Sequence, residues 1–191
     1  MLFELFKAFF SIFVVMDPFG SVPLFISVVK KNSARAALYA TGIAALVLFI
    51  FLFFGHYIFT IFGVEFYSFK IAGGVLLFIL STELVLGMET VRSGRSPALL
   101  LIGTPMLTGP GVMATTVVLV KETGYLVTAI ASALALLASF FVLLSSRFLA
   151  RLLGGNGVEI LSRMVGILLG AIAVEFVATG VREAWLSLSG V

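Results

Sequence analysis

An aspartate stands inside a largely apolar stretch near the start of the chain, where its carboxylate could hold a cation. Asp17 opens the run Asp-Pro-Phe-Gly-Ser-Val-Pro, in which two prolines remove backbone donors and a glycine adds conformational freedom. Asp before Pro also suits the start of a new helix, with the aspartate as its N-cap. An acid inside a membrane is a functional candidate by default, and a purely structural capping role for Asp17 is the alternative.

A second run of helix breakers carries no charge and covers residues 103–116, Gly-Thr-Pro-Met-Leu-Thr-Gly-Pro-Gly-Val-Met-Ala-Thr-Thr. Its Gly109 lies 89 positions after Gly20 of the first run. Backbone amides freed by such breaks cannot face lipid, where each unsatisfied group costs several kcal/mol. Both runs must therefore be buried in protein or line a wet cavity, unless they are only packing kinks, which is the simpler interpretation.

Two helices that restart in mid-membrane would present unpaired N–H groups and partial positive charge, here at Gly20-Ser21 and Gly109–Gly111. Such ends suit a carboxylate, while Asp17 and the free carbonyls before each break suit an ammonium group or a cation. A zwitterionic amino acid satisfies both poles. The predicted substrate-binding residues are Asp17, Pro18, Phe19, Gly20, Ser21, Thr108, Gly109, Pro110, Gly111 and Thr115.

Two further acids, Glu83 and Glu175, are candidates for ion coupling together with Asp17. Each follows a basic residue, Lys70 or Arg163, by ~18–20 Å along its predicted helix, which places it past the membrane midplane. The alternative is a carboxylate that reaches the interface or is hydrogen-bonded near a helix end. The two basic residues are predicted to be interface anchors rather than substrate ligands.

The composition excludes a soluble domain, because 61% of the 191 residues are apolar and only 11% are charged. The net charge of +3 comes from basic residues between apolar runs, as membrane topology requires, so we expect no nucleic-acid partner. The chain has no cysteine, one histidine and no HExxH, GxSxG or Walker motif. We therefore expect neither an enzyme nor a metal site or cofactor.

Six apolar segments have the ~20 residues that a spanning helix needs. They cover residues 2–29, 36–62, 66–88, 98–120, 124–149 and 158–183, and segments one and four carry the breaks. The sequence thus predicts an all-α integral membrane protein of the cell (inner) membrane, formed by one domain, 1–191. Lys and Arg concentrate in the loops after segments one, three and five, which predicts these loops inside and both termini outside.

The two halves of the chain resemble one another, which predicts repeats over residues 1–90 and 97–187. Three residue pairs share an offset of 93: Lys70 with Arg163, Gly73 with Gly166, and Gly87 with Gly180. Each half has three spans, so the second half must insert upside down. Inverted repeats of this kind are typical of many secondary transporters.

Four motifs together resemble the MarC family, also called the neutral amino acid transporter family. Residues 16–25 resemble its DPxGxxPxF signature and residues 104–111 its P-x-x-x-GPG element. Residues 70–74 resemble its R-x-A-G-G, with Lys70 for the usual Arg, and residues 162–166 its (T/S)-R-x-x-G. The resemblance implies a six-span inner-membrane protein that carries glycine and alanine, driven by the proton gradient. Glu175 stands where relatives commonly have Gln, so a coupling role there would not extend to the family.

Residues and resemblance together predict a secondary active transporter of small neutral amino acids: glycine, alanine and, as a further candidate, serine. Its coupling ion is expected to be the proton, with sodium as the alternative, and alternating access would occur around segments one and four. The lipid bilayer is the other expected partner, and a homo-oligomer is left open. The competing interpretations are an exporter or channel for another small solute, and a membrane protein without transport activity.

Overall fold

The computed structural model describes residues 2–29, 33–87 and 107–189, and the regular structure in these ranges is helical. The helices are α1 Leu2–Met16, α2 Ser21–Val28, α3 Ser33–Phe62, α4 Phe66–Leu86, α5 Pro110–Thr123, α6 Tyr125–Leu144 and α7 Ser146–Ser189. The predicted all-α architecture is confirmed for this part of the chain. The first part of predicted segment four, residues 98–106, lies outside the described residues.

Four described helices are long and apolar enough to cross a membrane, over Ser33–Gly55, Phe66–Leu86, Tyr125–Leu144 and Glu159–Ser189. They correspond to predicted segments two, three, five and six. Segment one is instead divided between α1 and α2, of 15 and 8 residues. At ~1.5 Å per residue each of these two is shorter than the ~30 Å hydrocarbon core. Six crossings and an inverted repeat therefore stay predictions.

The boundary between segments five and six differs from the predicted one. Segment five was expected over 124–149 and segment six from 158, but α6 ends at Leu144 and α7 begins at Ser146. α7 then bends at Gly154, whose φ of 68° is in the left-handed region that favours glycine. Hydropathy does not locate this boundary, because a single residue, Ser145, separates two helices that are both mainly apolar here.

Helices α4 and α7 pack closely and run in opposite directions, with glycines at their contacts. A Cβ on Gly74 would come 2.8 Å from the Ala173 carbonyl oxygen, and one on Gly170 would come 2.6 Å from Ser81 Oγ. The Ser81 hydroxyl also donates to the Gly166 carbonyl oxygen at 2.8 Å. Small residues and interhelical hydrogen bonds of this kind hold helices together where lipid replaces water. Glycines at these positions therefore let α4 and α7 approach each other closely.

Two contacts of this helix pair are related by the offset of 93. Adding 93 to the residue number near α4 and subtracting 93 from the one in α7 converts one contact into the other, to within one residue. Gly180 of α7 lies against Ile71 of α4, and Gly87, just after α4, lies against Arg163 of α7. Two copies of one helix related by an inverted repeat would give this pattern. Any antiparallel helix pair in this register gives the same pattern, so the inverted repeat stays a prediction.

A network of ion pairs shows that the chain begins and ends at one end of the helix bundle. Lys7 Nζ of α1 lies 3.8 Å from Glu122 Oε2 of α5. Lys70 Nζ of α4 lies 3.4 Å from Glu122 Oε1 and 3.1 Å from Glu183 Oε1 of α7. We call this end, marked by these four residues, the termini end. The opposite end, where Gly87 meets Arg163, is the far end.

Candidate functional site

The first break is a tight turn organised by Asp17. Helix α1 ends at Met16, Asp17 has a left-handed φ of 43°, and α2 begins at Ser21. Asp17 Oδ1 accepts a hydrogen bond from the Gly20 N–H at 3.0 Å. Its carbonyl oxygen accepts from the Ser21 N–H at 3.2 Å and from the Ser21 hydroxyl at 3.1 Å. The Asp17 side chain therefore caps the N–H group of Gly20, the N-cap residue of α2, while Pro18 lies in the turn before α2 and not at its first position as Asp-Pro predicts.

Gly20 is required here by lack of space rather than by its backbone angles. Its φ of −64° and ψ of −21° are open to any residue. A Cβ at this position would lie 1.9 Å from Asp17 Oδ2 and 2.7 Å from Asp17 Cγ. The buried Asp17 carboxylate is folded over the glycine, so any side chain at residue 20 would displace it.

The expectation that Gly20 and Ser21 offer unpaired N–H groups to a ligand is wrong. Asp17 accepts from both groups, one with its carboxylate and one with its carbonyl oxygen. The carboxylate occupies the place where an external anion would bind at the start of α2. The Asp17 carboxylate therefore supplies the negative charge at the positive end of α2.

The second break lacks such a cap. Helix α5 begins at Pro110 with Gly109 as N-cap and without a side-chain capping bond. Within the described residues, the Gly111 N–H has no acceptor, and the Thr108 and Thr115 hydroxyls have no hydrogen-bond partner. Both threonines are buried, at 1% and 0% exposure. Buried polar groups are normally paired, so these three groups are the ones that a ligand could satisfy.

The structure brings the two breaks together at mid-height of the bundle. A Cβ on Gly111 would lie 3.3 Å from Val15 Cγ1 and 2.4 Å from Leu77 Cδ2. Val15 lies two residues before Asp17, and Leu77 lies near the middle of α4. The start of α5 therefore packs against the end of α1.

From this level the two restarted helices run to opposite ends. Val29, at the end of α2, accepts a hydrogen bond at 3.1 Å from Arg147, near the start of α7. The end of α5 reaches the termini end, where Glu122 meets Lys70. The N-termini of both half-helices thus lie near the middle of the bundle.

A cavity of about 270 Å³ lies beside α5 at the termini end. Its polar lining residues are Lys7, Ser11, Lys70, Thr115, Glu122, Glu175 and Thr179. From Glu122 it reaches Thr115, about 10 Å along the helix, and so ends about one turn from Gly111. Its volume is near the ~300 Å³ lower limit of ligand pockets, which suits a small solute. Among the predicted binding residues whose side chains the structure describes, Thr115 alone lines this cavity.

The structure separates the two glutamates that were candidates for ion coupling. Glu175 lines the cavity, and its carboxylate forms no ion pair or hydrogen bond with a described residue. Gly74 packs against Phe176, so Glu175 lies near mid-height of α4. Glu83 is half-buried on the far half of α4 and does not line the cavity. The two carboxylates therefore do not share one site.

Lys70 is not the interface anchor that was predicted. Its residue exposure is 4%, and its ammonium group is held by Glu122 and Glu183. These partners lie 52 and 113 positions away in the sequence, so local spacing does not reveal them. Arg163 agrees better with the prediction: it is exposed at the far end and pairs with Glu159, four residues earlier.

The cavity adds residues that sequence reasoning missed, namely Lys7, Ser11, Glu122 and Thr179. The sequence contains a pattern from which one of them, Thr179, could have been predicted. Glu175 and Thr179 are one helical turn apart in an apolar segment, which places two polar groups on one side of α7. Lys7 and Glu122 lie near segment ends, where charged residues are normal, and carried no signal.

Comparison with known proteins agrees with the membrane architecture. The family described as MarC family integral membrane protein matches residues 2–185. A UPF0056 membrane protein of Archaeoglobus fulgidus is 37% identical, over 96% of this chain and 94% of its own length. The UPF0056 membrane protein MJ1677 of Methanocaldococcus jannaschii is 34% identical, over 94% and 96%. The UPF0056 inner membrane protein YhgN of Escherichia coli is 31% identical, over 94% and 96%.

No solved structure matches the chain. The match to the family nevertheless extends over both helix breaks, the α4–α7 pair and the cavity. It covers nearly the whole sequence, and the relatives are of similar length. The chain is an integral membrane protein and belongs to the MarC family.

Proposed function

We propose that this protein is a secondary active transporter of small neutral amino acids, namely glycine, alanine and, as a further candidate, serine. The observation that carries the proposal is the uncapped start of α5. There the Gly111 N–H and the buried hydroxyls of Thr108 and Thr115 have no partner among the described residues. A carboxylate can accept from such donors and is favoured by the positive end of the helix.

The opposite pole of the solute has a partner at the neighbouring break. Asp17 lies two residues after Val15, whose side chain faces Gly111. Its carboxylate places negative charge close to the start of α5, where it attracts an ammonium group. A zwitterion would meet the start of α5 with its carboxylate and Asp17 with its ammonium group, and it would add no net charge to the buried site. The match is to a neutral amino acid rather than to a simple acid or amine.

The close packing around the breaks favours a small solute. A Cβ on Gly20 would clash with Asp17, and a Cβ on Gly111 would clash with Leu77. The space between the breaks is therefore limited by backbone and short contacts. This supports glycine and alanine over amino acids with bulky side chains.

Alternating access is supported by the opposite directions of α2 and α5 and by the cavity at the termini end. In this structure the solute would approach from that end. Asp17 is the first candidate for proton coupling because it lies at the break, and Glu175 is the second because it lines the cavity. Glu83 is distant from both and is a weaker candidate.

Uptake of labelled glycine into proteoliposomes tests the proposal, with a pH gradient, a sodium gradient or neither imposed. We expect saturable uptake that a proton gradient accelerates, and empty liposomes are the control. Absence of saturable flux for glycine, alanine and serine would contradict the proposal. Acceleration by sodium alone would replace the proton as coupling ion. Counterflow separates a carrier from a channel, since a channel shows no trans-stimulation.

A further inference from the structure

The cavity beside α5 has a charge arrangement that the two helix breaks do not explain. Four ionisable side chains of both signs line it: Lys7 and Lys70 are positive, Glu122 and Glu175 negative. A solute with one net charge would leave the lining charges of its own sign without a partner. A solute that carries both charges would not. The lining therefore favours a zwitterion.

Lys70 is a buried cation, and one of its hydrogen-bond donors has no acceptor among the described residues. Its Nζ donates to Glu183 Oε1 at 3.1 Å and to Glu122 Oε1 at 3.4 Å. An ammonium group has three N–H donors. Within the described residues these two oxygens are its hydrogen-bond acceptors, so the third donor is available to a carboxylate in the cavity.

Glu175 supplies the opposite pole. Its carboxylate lines the cavity and has no ion-pair or hydrogen-bond partner in the described chain. Thr179 donates to the Glu175 carbonyl oxygen at 2.7 Å and leaves the carboxylate untouched. The contacts of Gly74 with Phe176 and of Gly180 with Ile71 place Glu175 about 8 Å deeper in the membrane than Lys70.

Thr115 forms the deep end of the cavity. It is 0% exposed, it lines the cavity, and its hydroxyl has no hydrogen-bond partner among the described residues. A buried hydroxyl without a partner is unusual in proteins and is expected to meet a polar ligand. From Thr115 the start of α5 at Gly111 is about 6 Å away along the helix.

We infer that this cavity is an outer recognition site for a small zwitterion, separate from the helix breaks. Lys70 holds the carboxylate, and Glu175 holds the ammonium group. The inference rests on the proposed function, which assigns this class of solute. It adds that the protein selects the solute by its two charges before the solute reaches the breaks.

The absence of cysteine allows a single thiol to report on the cavity without further engineering. Ser11→Cys places a thiol in the cavity lining, and Ser139→Cys is the matched control, a buried serine of α6 outside the cavity. Both proteins are reconstituted and exposed to membrane-impermeant methanethiosulfonates of either charge. We expect labelling of Ser11→Cys from the termini end and none of Ser139→Cys. If Ser11→Cys is unstable, Thr179→Cys takes its place.

Protection from labelling then measures the charge preference. Glycine is expected to slow the labelling of Ser11→Cys. Acetate and methylammonium, which carry one charge each, are expected to leave the labelling rate unchanged when used at the same concentration as glycine. Adding Glu175→Gln is expected to raise the half-protecting glycine concentration about tenfold or more, because a charge-assisted hydrogen bond is lost. Glu159→Gln, an exposed glutamate on the same helix at the far end, is expected to change it less than about twofold.

The outcomes separate this site from the proposed function. No protection by glycine, equal protection by acetate or methylammonium, or an unchanged half-protecting concentration in Glu175→Gln would overturn the outer site, whatever the flux. Glycine protection that depends on Glu175 would support the site even if proteoliposomes showed no amino acid flux, a result that would count against transport alone.

Discussion

Asp17 and Gly20 are fitted to each other: Oδ1 of Asp17 accepts the Gly20 N–H at 3.0 Å, and a Cβ on residue 20 would fall 1.9 Å from Oδ2. The hydrogen bond pairs the backbone N–H group of the N-cap residue of α2. The contact explains why the residue three positions after the aspartate has no side chain. The geometry of the first break therefore depends on both residues together.

Gly20→Ala is expected to destabilise the protein by about 1–3 kcal/mol, because the added methyl group displaces the buried carboxylate. Thermal unfolding in detergent measures the effect. Gly42→Ala is the matched control: it lies within α3, a Cβ there would meet nothing within 4 Å, and alanine is the better helix former. Equal melting temperatures for the two variants would show that the Asp17–Gly20 contact is not tight.

Asp17→Asn separates the capping role of Asp17 from a role of its charge. Asparagine caps helices about as well as aspartate, so we expect stability to change little, while Asp17→Ala should lose about 0.5–2 kcal/mol. Glycine uptake by Asp17→Asn is expected to fall at least about tenfold, since a charge-assisted contact to the ammonium group is removed. Wild-type uptake by Asp17→Asn would show that Asp17 is only a cap.

Lys70→Met is expected to destabilise the protein by about 1–3 kcal/mol, because it leaves Glu122 and Glu183 without their buried partner. Glu183→Gln on its own should cost less, since that carboxylate is 41% exposed. Combining the two changes is expected to recover part of the loss. Denaturation of the four proteins forms a double-mutant cycle, and strict additivity would indicate that Lys70 and Glu183 do not interact.

Both termini are expected outside the cell. The ion-pair network places them at one end of the helix bundle, and the basic loops predict that the opposite end of the bundle faces the cell interior. Alkaline phosphatase fused to the C-terminus should be active, and green fluorescent protein fused there should be dark. A fusion after Gly87, at the far end, should give the reverse. Opposite sides for the two termini would contradict the structure, and both termini inside would reverse the orientation only.

Local chemistry allowed the first break to be predicted from the sequence. Proline removes a donor and clashes with the preceding turn, and Asp before Pro is a known helix start, so α1 had to end near Met16. The glycine contacts of α4 and α7 also follow from a local rule, that small residues let helices approach. Each of these inferences depends on neighbouring residues alone.

The hydrogen-bond and ion-pair partners of the site residues could not be predicted in the same way. That Asp17 satisfies the Gly20 and Ser21 N–H groups depends on the direction in which its side chain turns, which sequence spacing does not fix. The partners of Lys70 depend on which helices become neighbours. Hydropathy indicates that segments cross a membrane, but it does not indicate which faces meet.

The different caps of the two breaks have a consequence for stoichiometry. Helix α2 starts on a carboxylate that belongs to the chain, while α5 starts on Gly109, which has no side chain to offer. Two identical halves would accept two anions or none at the centre of the bundle. The first break carries its own counter-charge and the second has none among the described residues, so the proposed transporter is expected to bind one solute molecule at the breaks at a time.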